Sequence, residues 1–361
     1  MEKLRVGVVG ATGMVGQRFI TILSTHPWFE ITALAASPRS AGKTYEQAVD
    51  KRWAFSWPIP EKVKGMTVLS AEDIPAIAEK VDFVFCAVDM KKDEIKALEE
   101  AYARAEIPVV SNNSANRWTE DVPMMVPEIN FDHAKLIDAQ RKRLGTKRGF
   151  IAVKPNCSIQ SYVPALTPLL GFQPEKISVC TYQAISGAGK TFERWPEMID
   201  NVNPYIGGEE EKSEREPLKV WGKYENGKIE LAKEPVISAQ CLRVACADGH
   251  MAAVSVSFKK KPTMEEMISA WDNFTSPIDK YDLPMAPKPF LRYMREADRP
   301  QTRLDRDFGG GMGVSIGRLR DDSIFDYRFV CLSHNTLRGA AGGAVLSAEL
   351  LYKLGYITPA K

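Results

Sequence analysis

Two stretches of this sequence hold side chains suited to attack on carbonyl carbon. In Lys154-Pro155-Asn156-Cys157-Ser158 a thiol stands at the end of a β-like apolar run and just ahead of a short helical pattern. A thiol at such a junction meets free backbone N–H groups and the positive end of a helix dipole, and both favour the nucleophilic thiolate. Pro164 keeps that helix short or kinked. Cys86, inside the apolar run 83–88, reads instead as an inert core residue. A thiolate working on an aldehyde also needs a proton-transfer partner, and the chain offers His26, His133, His250 and His334. His26 and His133 flank expected surface helices, and His334 lies between Ser333 and Asn335 near the last helical pattern. His250 follows Asp248-Gly249 and opens the β-like run 252–258, with Arg243 seven residues before it, and position alone leaves it one candidate among the four.

A different chemistry is signalled by Gly10-Ala11-Thr12-Gly13-Met14-Val15-Gly16, between the first apolar run and the first helical pattern. Glycines here let the chain turn sharply and approach a pyrophosphate, whose charge sits among the free N–H groups of a helix N-terminus. The spacing Gly-x-x-Gly-x-x-Gly is a variant of the commoner dinucleotide fingerprint. About 20 residues later an NAD site usually carries an acidic side chain for the ribose 2′-hydroxyl. Here the chain reads Ala36-Ser37-Pro38-Arg39-Ser40, without a carboxylate, and Arg39, Ser37 and Ser40 could donate to a 2′-phosphate, so NADP is expected. Gly187-Ala188-Gly189-Lys190-Thr191 imitates the tail of a nucleotide P-loop, but Ala184 stands where its first glycine is required.

The elements that must position these groups change character along the chain. Up to about residue 150, strand-like runs (Leu4–Val9, 31–36, 81–88, 107–111) alternate with helical patterns at 14–25 and 91–104, as in a parallel sheet covered by helices on both faces. Beyond that point the runs 150–154, 177–185 and 252–258 are separated by sizeable connections, as in an antiparallel sheet carrying a second domain. The segment 339–354, rich in Ala, Leu and Gly, reads as a packed final helix, and 209–216 as a solvated helix face.

The chain has 361 residues, enough for two domains and a substantial core at 44% hydrophobic content. Its 48 basic and 46 acidic residues leave a net charge of +2 and no basic block, against nucleic-acid binding. No apolar run is long enough to span a membrane, and the N-terminal run, broken by glycines, is unlike a signal peptide. The six cysteines lack paired or metal-ligand spacing, so no metal site is expected and a reduced, cytoplasmic protein is.

Taken in order, the Gly10–Gly16 turn, Asn156-Cys157-Ser158, the stretch from Gln183 to Gly189, Arg243 with His250, and the stretch from His334 to Gly343 resemble aspartate-β-semialdehyde dehydrogenase, in its archaeal and fungal branch. The resemblance runs from the first strand to the last helix. It implies an NADP-dependent, phosphorylating oxidoreductase that reversibly converts L-aspartyl-4-phosphate to L-aspartate 4-semialdehyde through a cysteine thioester, on the route to lysine, threonine, methionine and isoleucine. The implied fold is α/β: a Rossmann-like NADP domain of residues 1–152 with 336–361, and an α+β domain of residues 153–335 whose mixed, largely antiparallel sheet carries catalysis and the contact of a homodimer or homotetramer.

By position, the resemblance makes Cys157 the nucleophile, His250 the acid/base, Gln183 an orienting residue and Asn156 a neighbour in the site. Arg243 would grip the substrate α-carboxylate and Glu209 its ammonium, with Glu210 or Glu211 as alternatives for that role, while Lys212 and Arg117 would bind phosphate. Ser186, Gly187, Gly189 and Asn335 would border the nicotinamide. An amino acid with a β-acyl phosphate carries one carboxylate, one ammonium and one phosphate, and these four side chains supply matching charges. Malonyl-CoA reductase, N-acetylglutamyl-phosphate reductase and glyceraldehyde-3-phosphate dehydrogenase share parts of this logic. A catalytically silent NADP-binding protein is a further alternative.

Overall fold

The computed structural model describes residues 2–360. The alternating first part folds as β1 (Leu4–Val9), β2 (Phe29–Ala36), β3 (Val68–Ser70), β4 (Phe83–Cys86), β5 (Val109–Ser111) and β6 (Ile151–Val153). They form one sheet in the order β3-β2-β1-β4-β5-β6, every neighbour parallel. Such strands are covered on both faces, which is why they read as near-continuous apolar runs. Reversal of strand order beside β1 places a crevice at the C-terminal ends of β1 and β4, where dinucleotides bind in this architecture.

The second part supplies β7 (Pro174–Gln183), β8 (Val202–Asn203), a hairpin of β9 (Lys223–Glu225) and β10 (Lys228–Glu230), then β11 (Val236–Val244), β12 (His250–Phe258), β13 (Leu291–Met294), β14 (Val314–Asp321) and β15 (Tyr327–Ser333). Seven of them form a mixed sheet, β13-β14-β15-β12-β7-β11-β8, parallel only at β13/β14 and β7/β11. Pairing of Arg243 with Gln183, and of His250 with Ser333, brings the chemical residues of three strands to one end of this sheet. The α/β class and both sheet types agree with the expectation.

Four details differ from the sequence reading. The run at 150–154 is not part of the second sheet; it is β6, parallel to β5, and an all-apolar run carries no period that could say so. The segment 209–216 is not a solvated face, since the helix Glu209–Val220 buries Glu209, Ser213, Glu216 and Val220, one stripe at helical spacing. His26 and His133 are not at the surface. Nε2 of His26 lies 2.7 Å from the buried Glu349, and Nε2 of His133 lies 2.9 Å from the Gly222 carbonyl.

The final helix, Ala341–Lys353, packs on the helix Met14–Leu23 and on the parallel sheet. The loop before it is braced by Arg338, whose two terminal nitrogens reach the Glu128 carboxylate at 2.8 and 2.5 Å with both side chains buried. That pair fixes the loop against Cys157: a Cβ at Gly339 would lie 2.9 Å from the Cys157 Cβ.

Candidate active site and cofactor cleft

Cys157 follows the end of β6 and precedes the helix Ile159–Leu166. Its Sγ lies 3.5 Å from Nε2 of His250, which is wholly buried at the start of β12. The other ring nitrogen, Nδ1, accepts the Ala184 backbone N–H at 3.1 Å. A neutral ring that accepts at Nδ1 carries its proton at Nε2, so the hydrogen-bond network assigns the tautomer that donates toward sulfur. Burial, then the Arg243 guanidinium, push the His250 pKa down to about 3, which keeps the ring neutral. The thiol itself is pushed up, by burial first and the Glu209 carboxylate second, against Lys154, Arg117 and Arg243. The helix end therefore does not by itself hold a resting thiolate, contrary to the expectation from sequence.

A carboxylate shared by several donors lies beside this pair. Glu209, buried at the start of its helix, accepts from Asn156 Nδ2 at 2.8 Å, Gln183 Nε2 at 3.2 Å and Lys212 Nζ at 3.0 Å. Burial would raise its pKa, but Lys212, Asn156 and Gln183 together hold it low, so the group stays an anion. Its neighbours point elsewhere: Glu210 accepts from the Cys241 amide, and Glu211 pairs with exposed Arg215. Among the three candidates only Glu209 faces Asn156 and Gln183. Arg243, at the end of β11, is buried and donates from Nη1 to the Ala184 carbonyl at 2.8 Å. Gly187 fits closely over it, since a Cβ there would stand 2.8 Å from that nitrogen and 3.0 Å from the His250 ring.

Arg117 also reaches the site, but it is already engaged. Its Nη1 donates to Glu216 at 2.9 Å and its Nε to the Lys154 carbonyl at 3.1 Å, while Glu216 accepts the Asn156 amide at 2.6 Å. Glu216 thus ties Arg117 to the segment carrying Cys157. Sequence reasoning missed it, although its position seven residues after Glu209 is a helical-stripe signal. Lys154 was also missed: it is buried next to this segment, and burial with the Arg117 charge lowers its pKa to about 7.

The glycine turn lies where the sequence placed it, with Gly10 at φ +90°. A Cβ at Gly10 would stand 2.2 Å from the Ala87 carbonyl oxygen, and one at Gly16 would stand 2.2 Å from the Gly10 carbonyl oxygen. The turn is therefore closed by packing that only glycine permits. Gly13, the residue before the helix Met14–Leu23, lines the adjoining cavity, and a Cβ there would meet only the Gly10 carbonyl oxygen, at 3.6 Å. Ala11 is buried and its carbonyl accepts the Tyr45 hydroxyl, and Val15 packs on the core, so these two shape the turn. A cavity of about 310 Å³ opens beside it, lined by Gly10, Thr12, Gly13, Ser37 and Arg39. Ser40 is not on its wall; it is buried, and its amide closes a turn on the Ser37 carbonyl. Arg52 lines the cavity and was not foreseen; Glu72 and Asp89 line it too, so the site is not free of carboxylates. Across the crevice Asn335 joins the Gly249 amide to the Ser186 hydroxyl, both at 2.8 Å, and Gly189 adopts φ +68°. A glycine-lined helix start flanked by arginines fits a phosphorylated dinucleotide. Among the described residues no group of three metal-ligating side chains converges.

Comparison with known proteins matches this architecture in both parts. The family model described as semialdehyde dehydrogenase, NAD binding domain, matches residues 5–137, and the semialdehyde dehydrogenase dimerisation domain matches residues 166–338. The chain is 42% identical to the aspartate-semialdehyde dehydrogenase of Archaeoglobus fulgidus over 348 residues, 96% of this chain and 98% of that protein. It is 39% identical to that of Saccharomyces cerevisiae, over 96% of each chain. It is also similar to the crystal structure of aspartate semialdehyde dehydrogenase with NADP from Candida albicans, with a TM-score of 0.87, 37% identity, and coverage of 99% of this chain and 100% of that one. With a thiol and an imidazole facing each other beside a glycine-lined cleft, and with this likeness over nearly its full length, the chain belongs to the aspartate-semialdehyde dehydrogenase family.

Proposed function

We propose that this protein reduces L-aspartyl-4-phosphate to L-aspartate 4-semialdehyde and phosphate with NADPH, reversibly. The observation that carries the reading is the 3.5 Å approach of Cys157 Sγ to His250 Nε2, with the Glu209 anion and the Arg243 cation buried beside it. The Cys157 sulfur attacks the acyl carbon as it gives up its proton, the C–O bond to phosphate breaks, and phosphate leaves with the electron pair and that proton. When bound, NADPH would supply the hydride that reduces the resulting thioester carbon. His250 donates a hydrogen bond from Nε2 to the oxygen as it becomes negative, and the C–S bond then breaks, releasing the aldehyde and a thiolate that takes up a proton from solvent. Arg243 holds the α-carboxylate as a fork and Glu209 the α-ammonium. As the ammonium takes the place of Lys212 at Glu209, Lys212 turns to the phosphate beside Arg117. Gln183 and Asn156 orient the acyl group.

Ser37, Arg39 and Arg52 receive the 2′-phosphate, residues 10–16 the pyrophosphate, and Ser186, Gly187, Gly189 and Asn335 border the nicotinamide. We take residues 1–152 with 336–361 as the cofactor domain and 153–335 as the catalytic domain. The outward face of the mixed sheet, where Tyr182 is exposed and Cys180, Met251, Ala253 and Val330 are half-buried, fits the contact between copies in a homodimer or homotetramer. Six free thiols suit a reducing cytoplasm. The deciding assay follows NADP reduction with aspartate semialdehyde and phosphate. Phosphate-dependent turnover is expected; robust malonyl-CoA reduction with no phosphate dependence would move the assignment to a CoA-thioester reductase.

A further inference from the structure

The helix Lys92–Arg104 turns Ile95, Leu98, Tyr102 and Ala103 into the core, a stripe at helical spacing, and Glu99 falls on that stripe, fully buried. A carboxylate among apolar side chains is strongly disfavoured unless donors surround it. Ser111 Oγ donates to it at 2.5 Å, Asn113 Nδ2 at 3.1 Å and Asn116 Nδ2 at 2.7 Å. The Ser111 hydroxyl also accepts the Asn113 amide at 3.0 Å, which turns its own proton toward Glu99. Burial pushes the Glu99 pKa up, and Ser111, Asn116 and Asn113 pull against it. Three side chains that all donate are the surroundings an ionised carboxylate requires, since it accepts only.

The three donors all lie on the stretch that leads from β5 to Arg117. Asn116 precedes Arg117 directly, and its Oδ1 accepts the Thr119 hydroxyl at 2.9 Å, closing the turn around Arg117. On its other side Arg117 is tied to the helix Glu209–Val220: its guanidinium donates to Glu216, and its carbonyl accepts Lys219 Nζ at 2.6 Å. The segment is thus strung between two helices, one from each part of the chain. We propose that Glu99 is a positioning residue for phosphate, holding the stretch 111–116 in the place from which Arg117 reaches it. This rests on the reading of Arg117 as a phosphate ligand. Glu216 sets the direction of the guanidinium, and Glu99 sets where the backbone that carries it stands. Being wholly buried in the helix Lys92–Arg104, Glu99 acts through Arg117 and touches no substrate itself.

The test is steady-state kinetics of semialdehyde oxidation with phosphate varied, beside calorimetric titration of the intact protein with NADP. Glu99→Gln keeps the shape of the side chain but sets an NH2 group against the donors of Ser111, Asn113 and Asn116. KM for phosphate should rise about tenfold, while kcat at saturating phosphate, KM for semialdehyde and NADP affinity stay within about twofold. Glu99→Asp, which keeps the charge, should recover part of the loss. An unchanged phosphate KM in Glu99→Gln would overturn the proposal, as would equal weakening of phosphate, semialdehyde and NADP, which marks a general loosening of the fold. Should Glu99→Gln fail to fold, Asn116→Ala decides by the same criteria, since it cuts the bond nearest Arg117 and leaves Ser111 and Asn113 in place; there a rise of about fivefold is expected. A parent protein whose turnover ignores phosphate would refute the reading of Arg117 itself, and the proposal with it.

Discussion

Nε2 of His250 lies 3.5 Å from the sulfur of Cys157, while Nδ1 of the same ring is held by the Ala184 N–H. The arrangement makes His250 a neutral donor to whatever negative charge forms at Cys157 or on the carbon it attacks, and sets the pH behaviour of the site.

Alkylation of Cys157 should track the thiol alone. Its pKa is raised by burial and Glu209, so the thiolate fraction is small at neutral pH and grows as pH rises through the elevated value. His250, pushed down to about 3, changes charge far below that range. The rate of iodoacetamide reaction against pH is expected to climb in one limb with no inflection near pH 6.5. An inflection there that disappears in His250→Asn would show a histidinium–thiolate pair instead.

Cys157→Ala should abolish semialdehyde oxidation and leave NADP binding nearly intact, since the sulfur belongs to the β6 end and the phosphate turn to the β1 end. Near-normal turnover in the purified variant would refute covalent catalysis.

Arg243→Leu should cost more kcat/KM than Glu209→Asp. A lost carboxylate fork removes two charge-assisted bonds, about a hundredfold or more, whereas the shorter aspartate keeps its charge beside Asn156, Gln183 and Lys212. Steady-state kinetics with varied semialdehyde would settle the order, and the reverse ranking would remove Arg243 from the carboxylate role.

Gly187→Ala should fold with a melting temperature close to the parent yet lose at least about tenfold in kcat/KM, because the added methyl meets Arg243 at 2.8 Å and the His250 ring at 3.0 Å. Full activity with unaltered KM would mean that neither side chain needs its present position.

Preference for NADP over NAD should fall in Arg39→Ala and further in Arg39→Ala with Arg52→Ala, as both arginines line the adenosine-side cavity. Glu72 and Asp89 on the same wall are expected to limit the preference rather than reverse it. Equal catalytic efficiency with both cofactors in the parent protein would remove the 2′-phosphate role from these side chains.

What the sequence determined by itself was local. A glycine turn between a buried strand and a helix, and a thiol between β6 and the next helix, are set by backbone geometry over a few neighbouring residues, so spacing alone places them. The alternation of strands and helices likewise requires a parallel sheet, and the ordered motifs carried the family. Tertiary structure decided what depends on distant segments. Cys157 and His250 are 93 positions apart, and Arg117 and Glu216 are 99 apart. Only the assembled sheets show that Glu209 rather than Glu210 faces Asn156, that Glu216 is buried, and that Arg52, Glu72 and Asp89 share a wall with Arg39. The charge states followed the same division: a helix start favours a thiolate, but the cost of desolvation depends on every element packed around the sulfur, and burial raises the Cys157 thiol.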